Sequence, residues 1–218
     1  MSKVLGSEVV RAGGSAVAPW YLAGAVALAN CVAAYQFKGA ESQAASYVNL
    51  ASPGTYDLNP LAAPAFDTAT GLAFAGAAWL DTGIVPIGDQ TWSMFIQFSD
   101  ANASDFRSLA EVLEGANAFG ISPNYSNAYY FNVTFRYGVG QLAGGNLGFA
   151  GKQGYRNGVA DGAALSAATK EFSLSLYIGA RHMAASTDQK LRGKIQAVSI
   201  YNIAHPDPAA LATAMAAL

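Results

Sequence analysis

Three stretches of the chain alternate apolar and polar side chains at a period of two, and this pattern limits the possible folds more than any other feature. They are residues 92–99, 129–137 and 172–178. Successive side chains of a β-strand point to opposite faces, so this alternation indicates strands with one buried face. No long helical pattern separates these stretches, which favours an antiparallel sandwich over a parallel sheet. We therefore predict an all-β fold.

Local signals predict a hairpin and a helix in the last third of the chain. Asn157-Gly158 is typical of a type I′ turn, because both central residues of that turn need positive φ. Asp207 can accept amide hydrogen bonds as an N-cap, and the following Pro208 is tolerated in a first helical turn. A short helix over residues 207–217 is therefore expected to pack on the sandwich through one apolar face. That face consists of Leu211, Met215 and Leu218.

The composition favours one well-packed domain. The chain has 218 residues, of which 52% are hydrophobic and 12% charged, so it can bury a large core, which argues against disorder. The net charge is −2 and no basic run occurs, which argues against a nucleic-acid partner and against membrane insertion. Cys31 is the only cysteine, so no intrachain disulfide can form, and its apolar neighbours predict a buried thiol.

We predict an N-terminal arm, residues 1–27, followed by one β-sandwich domain, residues 28–218. A flexible break at residues 13–15 lies within the arm. The arm carries apolar side chains that are unfavourable in water, so we expect it to contact another chain and to act in assembly. These assembly residues are Val9, Val10, Trp20 and Tyr21. The Ala-rich, uncharged run 16–35 is too weakly apolar for a membrane span, and we predict no cleaved signal peptide.

The last third of the chain contains an ordered series of strand-like motifs. The series is Gly154-Tyr155-Arg156-Asn157-Gly158-Val159, Leu176-Tyr177-Ile178-Gly179-Ala180-Arg181 and Gly193-Lys194-Ile195-Gln196-Ala197-Val198-Ser199-Ile200-Tyr201-Asn202. This order resembles the end of concanavalin A-like lectin/glucanase domains, in the laminin G-like branch. The resemblance covers residues 28–218 and implies an antiparallel jelly-roll β-sandwich with short peripheral helices.

The N-terminal half holds a second set of motifs, which includes Trp20-Tyr21-Leu22-Ala23-Gly24 and Trp79-Leu80-Asp81-Thr82-Gly83-Ile84. These resemble the opening of tailed-phage and prophage virion proteins that carry a laminin G-like domain. The resemblance implies a non-enzymatic virion surface protein, a capsid decoration or cement protein or a tail component, made in the host cytoplasm. Its partners would be other virion proteins and copies of itself. The alternative is a carbohydrate-binding or host-receptor recognition module that binds a host surface glycan.

The acidic residues do not form a catalytic pattern. Glycoside hydrolases need two carboxyl groups that face each other across a cleft, and laminarinase-like members carry them as E-x-D-x-x-E, which is absent here. Glu111 and Glu114 are spaced differently, and we predict that both are solvated charges in a loop or at a strand end. A G-x-S-x-G nucleophile motif is also absent. We therefore predict that the chain is not an enzyme.

Two loops are candidates for contacts to a glycan, because tyrosine rings stack on sugars while asparagine and arginine bond the hydroxyls. The candidate glycan-binding residues are Tyr125, Asn127, Tyr155, Arg156 and Asn157. Trp79 and Trp92 lie in strand patterns and are expected in the core.

One loop, residues 100–105, brings together oxygen ligands of the kind that calcium prefers. The weak calcium candidates are Asp100, Asn102 and Asp105. Such residues cap turns more often than they bind metal, so we predict no cofactor. His182 and His205 have no Cys/His partners in the sequence, which argues against zinc.

Overall fold

A computed structural model describes most of the chain. The described residues are 18–88, 91–101, 107–115, 117–125, 128–131, 136–137, 142–162, 164 and 170–218. These residues form strands joined mainly by turns, together with short helical segments at Trp20–Leu22 and Leu28–Asn30 (3₁₀), α1 (Gln43–Ser46) and α2 (Pro208–Ala216). The predicted all-β fold is confirmed.

The strands are numbered here in chain order. They are β1 (Cys31–Gln36), β2 (Asn59–Ala62), β3 (Ala65–Asp67), β4 (Gly71–Ala75), β5 (Trp79–Asp81), β6 (Ile87–Gly88), β7 (Ser93–Ser99), β8 (Ala110–Glu114), β9 (Asn117–Tyr125), β10 (Ala128–Phe131), β11 (Arg136–Tyr137), β12 (Gly145–Ala150), β13 (Gln153–Arg156), β14 (Val159–Asp161), β15 (Lys170–Glu171), β16 (Tyr177–Ile178), β17 (Arg181–Met183), β18 (Ser186–Asp188) and β19 (Arg192–Tyr201).

Two sheets make up the sandwich. Sheet A has the order β14-β13-β12-β7-β19-β4-β3, and β1 also pairs with the C-terminal half of β19. Sheet B has the order β11-β10-β9-β8-β16-β5-β2, and the β17–β18 hairpin joins it beside β8. Within the described residues the pairing is antiparallel, except that β17 lies parallel to β8. Strands β6 and β15 form a separate small ladder.

The main core lies between the two sheets, because its side chains come from the facing sides of both. Sheet A contributes alternate residues of β7 and β19, and sheet B contributes those of β5, β8 and β9. Fully or almost fully buried members include Ile96, Phe98, Ile195, Val198, Leu80, Val112, Phe119 and Ile121. Burial of this apolar surface is the principal stabilising term of the fold.

A second apolar cluster covers part of the outer face of sheet A. It joins outward-facing residues of the sheet, such as Phe95 and Tyr201, to Leu211 and Met215 of α2. The predicted helix is confirmed: Asp207 caps it, since its side chain accepts a hydrogen bond from the Ala210 amide. Helix α2 thus leaves only part of this sheet face open.

The predicted turn at Asn157-Gly158 is confirmed. The two residues have φ angles of 51° and 77° and join β13 to β14, with Arg156 opposite Val159. A Cβ atom on Gly158 would lie 2.7 Å from the Ala209 Cα atom. The hairpin therefore packs closely against the start of α2.

Two strand predictions need correction. The stretch 129–137 is not one strand, because β10 and β11 pair with each other and place Tyr129 opposite Tyr137. Of the stretch 172–178, only β16 is a regular strand. The alternating pattern here reflects which side chains are buried and not a regular strand. Phe172 and Leu176 lie in the core, while the Ser173 amide donates a hydrogen bond to the Glu114 side chain.

Residues 18–27, assigned to the arm, pack on their own sandwich. The Trp20 indole donates to Gln36 Oε1 at 3.1 Å, and the Tyr21 hydroxyl donates to the Leu50 carbonyl at 3.0 Å. The Tyr201 hydroxyl in turn donates to the Tyr21 carbonyl at 2.8 Å. Trp20 and Tyr21 therefore have partners within the chain, and their role in assembly stays a prediction. Val9 and Val10 lie outside the described residues.

Candidate functional site

A groove of about 300 Å³ opens on the outer face of sheet A, beside the end of α2. In β7 the inward side chains Ile96 and Phe98 belong to the main core, so the alternating Gln97 and Ser99 point to the outer face. Most of the side chains that line the groove are polar. We call this site the polar groove; its polar residues are Lys38, Thr70, Gln97, Ser99, Asp100, Lys194 and Gln196, and Met215 lies against them.

Gln196 reaches the groove through an irregularity in β19. The pairing of β19 with β7 shifts register between Ile195 and Ala197, which makes Gln196 an extra residue of a bulge. Its Nε2 atom donates to the Thr70 carbonyl at 3.2 Å and to Ser99 Oγ at 2.9 Å. Because both amide hydrogens are engaged, the carboxamide is held in one orientation, with its oxygen left to accept.

Three buried carboxamide oxygens, two on residues that line the groove and one on the neighbouring strand β12, have no hydrogen-bond partner within the described part of the chain. They belong to Gln97, Asn146 and Gln196. Asn146 lies opposite Gln97 in the β12–β7 ladder, and its Nδ2 atom contacts Met215 Sδ at 3.2 Å. Gln196 is 8% exposed. Since buried acceptors are nearly always paired, these oxygens mark a place where a ligand can donate hydrogen bonds.

The calcium candidate Asp100 belongs to this groove, where it pairs with a lysine. Its Oδ2 atom lies 2.9 Å from Lys194 Nζ. The other two candidates, Asn102 and Asp105, lie outside the described residues. Across the described ranges, no group of three or more His, Cys, Asp or Glu side chains is placed to hold a metal ion.

The predicted glycan loop at Tyr155, Arg156 and Asn157 lies next to the groove rather than in it. Tyr155 is half-buried and packs against the second cluster, with its ring 6.2 Å from that of Phe95, and its role in glycan binding stays a prediction. Arg156 and Asn157 are exposed. Asn157 Oδ1 accepts from the Asn146 amide at 2.8 Å, which ties the hairpin to the edge of the groove.

The other predicted glycan loop contains Tyr125 and Asn127. Tyr125 is the last residue of β9, but its side chain lies outside the described part of the structure. Asn127 lies outside it entirely. Both remain predictions.

Glu111 was predicted to be a solvated charge, and this is wrong. It lies on β8 of sheet B and is fully buried, where it accepts a hydrogen bond from Ser108 Oγ and lies 4.0 Å from the Arg181 guanidinium. Arg181 also binds Asp188 with two hydrogen bonds of 2.8 and 2.6 Å. The β17–β18 hairpin supplies both residues, and it was the pairing of this hairpin with β8 that buried the carboxylate.

Glu114 lies at the strand end, as predicted, where it is partly exposed and its carboxylate binds a neighbouring loop. One of its oxygens accepts from the Ser173 and Leu174 amides, both at 2.6 Å, and from Ser173 Oγ at 3.0 Å. It borders a second hollow of about 470 Å³, which is lined mostly by small and apolar side chains. Because the Glu114 carboxylate already binds a loop, this hollow offers few polar groups to a ligand.

The remaining residues named from the sequence are structural. Cys31 is buried, as predicted, and burial raises the pKa of its thiol to about 12, so it is not a reactive nucleophile. Trp92 packs against the main core with its ring edge-on to Phe119. Trp79 was expected in the core but is only half-buried, and Lys190 Nζ lies 4.2 Å from the centre of its ring. The His182 ring stacks on Tyr177 at 3.8 Å.

Apart from Asp100, the residues of the polar groove were not identified from the sequence. The alternation in β7 correctly indicated a polar strand face, but many strands have such a face and it does not by itself indicate a binding site. Lys38, Gln97 and Lys194 are far apart in the chain. They come together because β7 and β1 both pair with β19. The one local hint is Gln196, a polar residue that interrupts an apolar strand.

Comparison of the sequence with protein-family models and with curated proteins gave no match. Solved structures do match in fold. Domain 4 of AbnA, a GH43 extracellular arabinanase from Geobacillus stearothermophilus in complex with arabinotriose, matches with a TM-score of 0.56 and 12% identity, over 85% of this chain and 98% of that one.

Sialidase from Trypanosoma rangeli matches in two further structures. The covalent intermediate with 2,3-difluorosialic acid has a TM-score of 0.58 at 16% identity, over 86% of this chain and 32% of that one. A mutant with trans-sialidase activity has a TM-score of 0.56 at 16% identity, over 87% and 34%. The chain thus spans about a third of the length of these sialidases.

These comparisons correct one prediction. The solved structures are an arabinanase domain and sialidases, and they contradict the prediction of a virion structural protein that acts through protein–protein contacts. Nothing in them supports the resemblance to phage proteins. Within the described residues, no helix has the length and apolar character needed to cross a membrane. At identities this low the comparisons show the fold alone: the chain is a β-sandwich.

Proposed function

We propose that this chain is a carbohydrate-binding module that holds a saccharide in the polar groove of sheet A. The observation that carries the proposal is the pair of unpartnered carboxamide oxygens at Gln97 and Gln196, two residues that line the groove. Sugar hydroxyls are hydrogen-bond donors that fit such acceptors. The fold similarity to an arabinanase domain solved with arabinotriose supports the same class of ligand.

The groove has the dimensions and mixed chemistry of a small-ligand site. Its volume of about 300 Å³ is at the lower end for ligand pockets, which suits a short stretch of a sugar chain. Ala69 and Ala216 are exposed and supply apolar contact for the C–H faces of a sugar, and Thr70 and Ser99 add polar groups. Gln196 is preorganised by its two hydrogen bonds, which lowers the entropic cost of binding.

We further propose that binding is not followed by glycosidic cleavage. Cleavage needs two carboxyl groups on opposite sides of the bond. Asp100 is the only acidic residue among those that line the groove in the described structure, and Lys194 neutralises it. Glu111 is buried on the other sheet against Arg181, so it is remote from the groove.

Binding is tested with a glycan array followed by titration calorimetry of the glycans that bind. The variant Gln97→Met keeps the side-chain length but removes its hydrogen-bonding groups, and we expect it to weaken binding about tenfold. The variant Gln153→Met makes the same chemical change at β13, outside the groove, and should bind like the unmodified chain.

The outcomes separate clearly. Binding that is lost in Gln97→Met and kept in Gln153→Met supports the proposal. A chain that binds no glycan, or binds equally well in both variants, contradicts the polar groove as the site. Release of reducing ends from a bound polysaccharide by the purified protein would contradict the absence of cleavage.

A further inference from the structure

The charges of the polar groove do not cancel. Lys194 and Asp100 form an ion pair of 2.9 Å. Lys38 lines the same groove, and within the described part of the chain it has no carboxylate partner. The groove residues therefore carry one uncompensated positive charge. A cleft with such a charge concentrates anionic ligands.

The neutral groups of the groove impose a second condition on the ligand. The Oε1 atoms of Gln97 and Gln196 are acceptors without partners in the described residues. An ionised carboxylate or sulfate group by itself offers no hydrogen-bond donor, so a simple anion would leave both acceptors unpaired. A ligand that satisfies Lys38 and the two glutamines must carry hydroxyl groups as well as a negative charge.

We propose that the polar groove selects an acidic saccharide, a sugar chain that bears a carboxylate or sulfate group. Lys38 binds the anionic group, and Gln97 and Gln196 accept hydrogen bonds from neighbouring hydroxyls. This inference rests on the proposed function and narrows it from saccharides in general to charged ones. Lys38 is suited to this role, because its ammonium group offers three donors on a flexible stem.

The position of Lys38 relative to Gln196 supports a shared ligand. The Lys38 amide donates to the Gln196 carbonyl at 3.0 Å, and the Phe37 amide donates to the same oxygen at 2.8 Å. The end of β1 and the bulge of β19 are therefore fixed against each other. The backbone positions from which Lys38 and Gln196 reach a shared ligand are thus fixed relative to each other.

The test compares ligands that differ only in charge, by titration calorimetry at low and high salt. One pair is trigalacturonate and its methyl ester, and the other is 6-sulfated lactose and lactose. We expect the charged member of at least one pair to bind about tenfold more tightly, with the difference shrinking at high salt. The pair that shows the difference tells whether the anionic group is a carboxylate or a sulfate.

Three variants assign the preference to Lys38. Lys38→Met should bind charged and neutral members alike, and Lys38→Arg should restore the preference for the charged member. Lys152→Met, in the turn between β12 and β13, removes a lysine outside the groove and should leave the preference intact. Circular dichroism of each variant confirms that it is folded.

Equal binding of charged and neutral members by the unmodified chain overturns this inference and leaves the proposed function standing. Preference for the charged member that persists in folded Lys38→Met also overturns it. If neither these ligands nor any array glycan binds, the proposed function fails together with the inference.

Discussion

His205 shows how a single buried side chain connects distant parts of the structure. Its ring lies 5.6 Å from that of Phe95 and 4.8 Å from that of Tyr201, and its Nδ1 atom accepts from the Asp207 amide at 3.2 Å. Its Nε2 atom has no partner in the described residues. Burial lowers the pKa of His205 to about 4, although the nearby Asp207 acts in the opposite direction.

We therefore predict that His205 makes the free energy of unfolding decrease at acid pH. Its folded-state pKa of about 4 lies below the unfolded value of about 6.5, so the unfolded chain binds more protons between these pH values. The contribution of His205 to the free energy of unfolding is thus complete above about pH 6.5. It falls as the pH decreases toward 4, by roughly 3 kcal/mol in all.

Urea unfolding at several pH values measures this effect. In the variant His205→Phe the slope of stability against pH between about 4 and 6.5 should be reduced relative to the unmodified chain. As a control, His182→Phe removes the other histidine and should leave most of that slope in place. Equal slopes in His205→Phe and the unmodified chain would contradict the assignment.

At the scale of secondary structure, the contact between the β13–β14 hairpin and α2 decides how much of sheet A is covered. Gly158 and Gly54 offer a matched comparison, because both have positive φ, 77° and 85°. A Cβ atom at Gly158 would lie 2.7 Å from the Ala209 Cα atom, whereas one at Gly54 would have nothing within 4 Å.

We predict that Gly158→Ala destabilises the protein more than Gly54→Ala. Both variants carry the backbone cost of a left-handed alanine, about 1 kcal/mol. Only Gly158→Ala also separates the hairpin from α2, which should add about 1 kcal/mol or more. Thermal unfolding of the two variants measures the difference, and equal losses would show that the hairpin does not depend on this contact.

At the scale of the whole molecule, the two sheets enclose the main core. The second apolar cluster is covered by residues that precede the first strand and by the last helix. Trp20, Tyr21 and Val26 contribute to that cluster together with Leu211 and Met215 of α2. The N-terminal segment and the last helix therefore stabilise the same face of sheet A, from opposite ends of the chain.

Deleting residues 2–27 tests whether the domain is complete from residue 28. We expect this truncation to lower the free energy of unfolding by at least about 2 kcal/mol, because it removes the apolar contacts of Trp20, Tyr21 and Val26. Urea unfolding provides the measurement, and Trp20→Ala in the full chain should reproduce part of the loss. Unchanged stability of the truncated chain would support the predicted boundary at residues 27 and 28. Light scattering of both chains tests the predicted role in assembly.

Local sequence determined the elements whose signals lie within a few residues. The alternation in β7, the turn at Asn157-Gly158 and the cap at Asp207 depend on backbone conformations and hydrogen bonds between near neighbours. All three are found where they were predicted. The overall sandwich follows from the same patterns, because several half-buried strands have to cover one another's apolar faces.

Tertiary structure alone decided which side chains meet. Glu111 became a buried ion-paired group only because a hairpin about 70 residues later in the chain packs beside it. The stretch 129–137 alternates as one strand would, yet it folds on itself, since both arms of a hairpin share the same period. No pattern in the sequence indicates that Lys38, Gln97 and Gln196 lie close together. Their groove exists because strands remote in the chain pair at one position, and long-range pairing is set by the energy of the whole core rather than by any local preference.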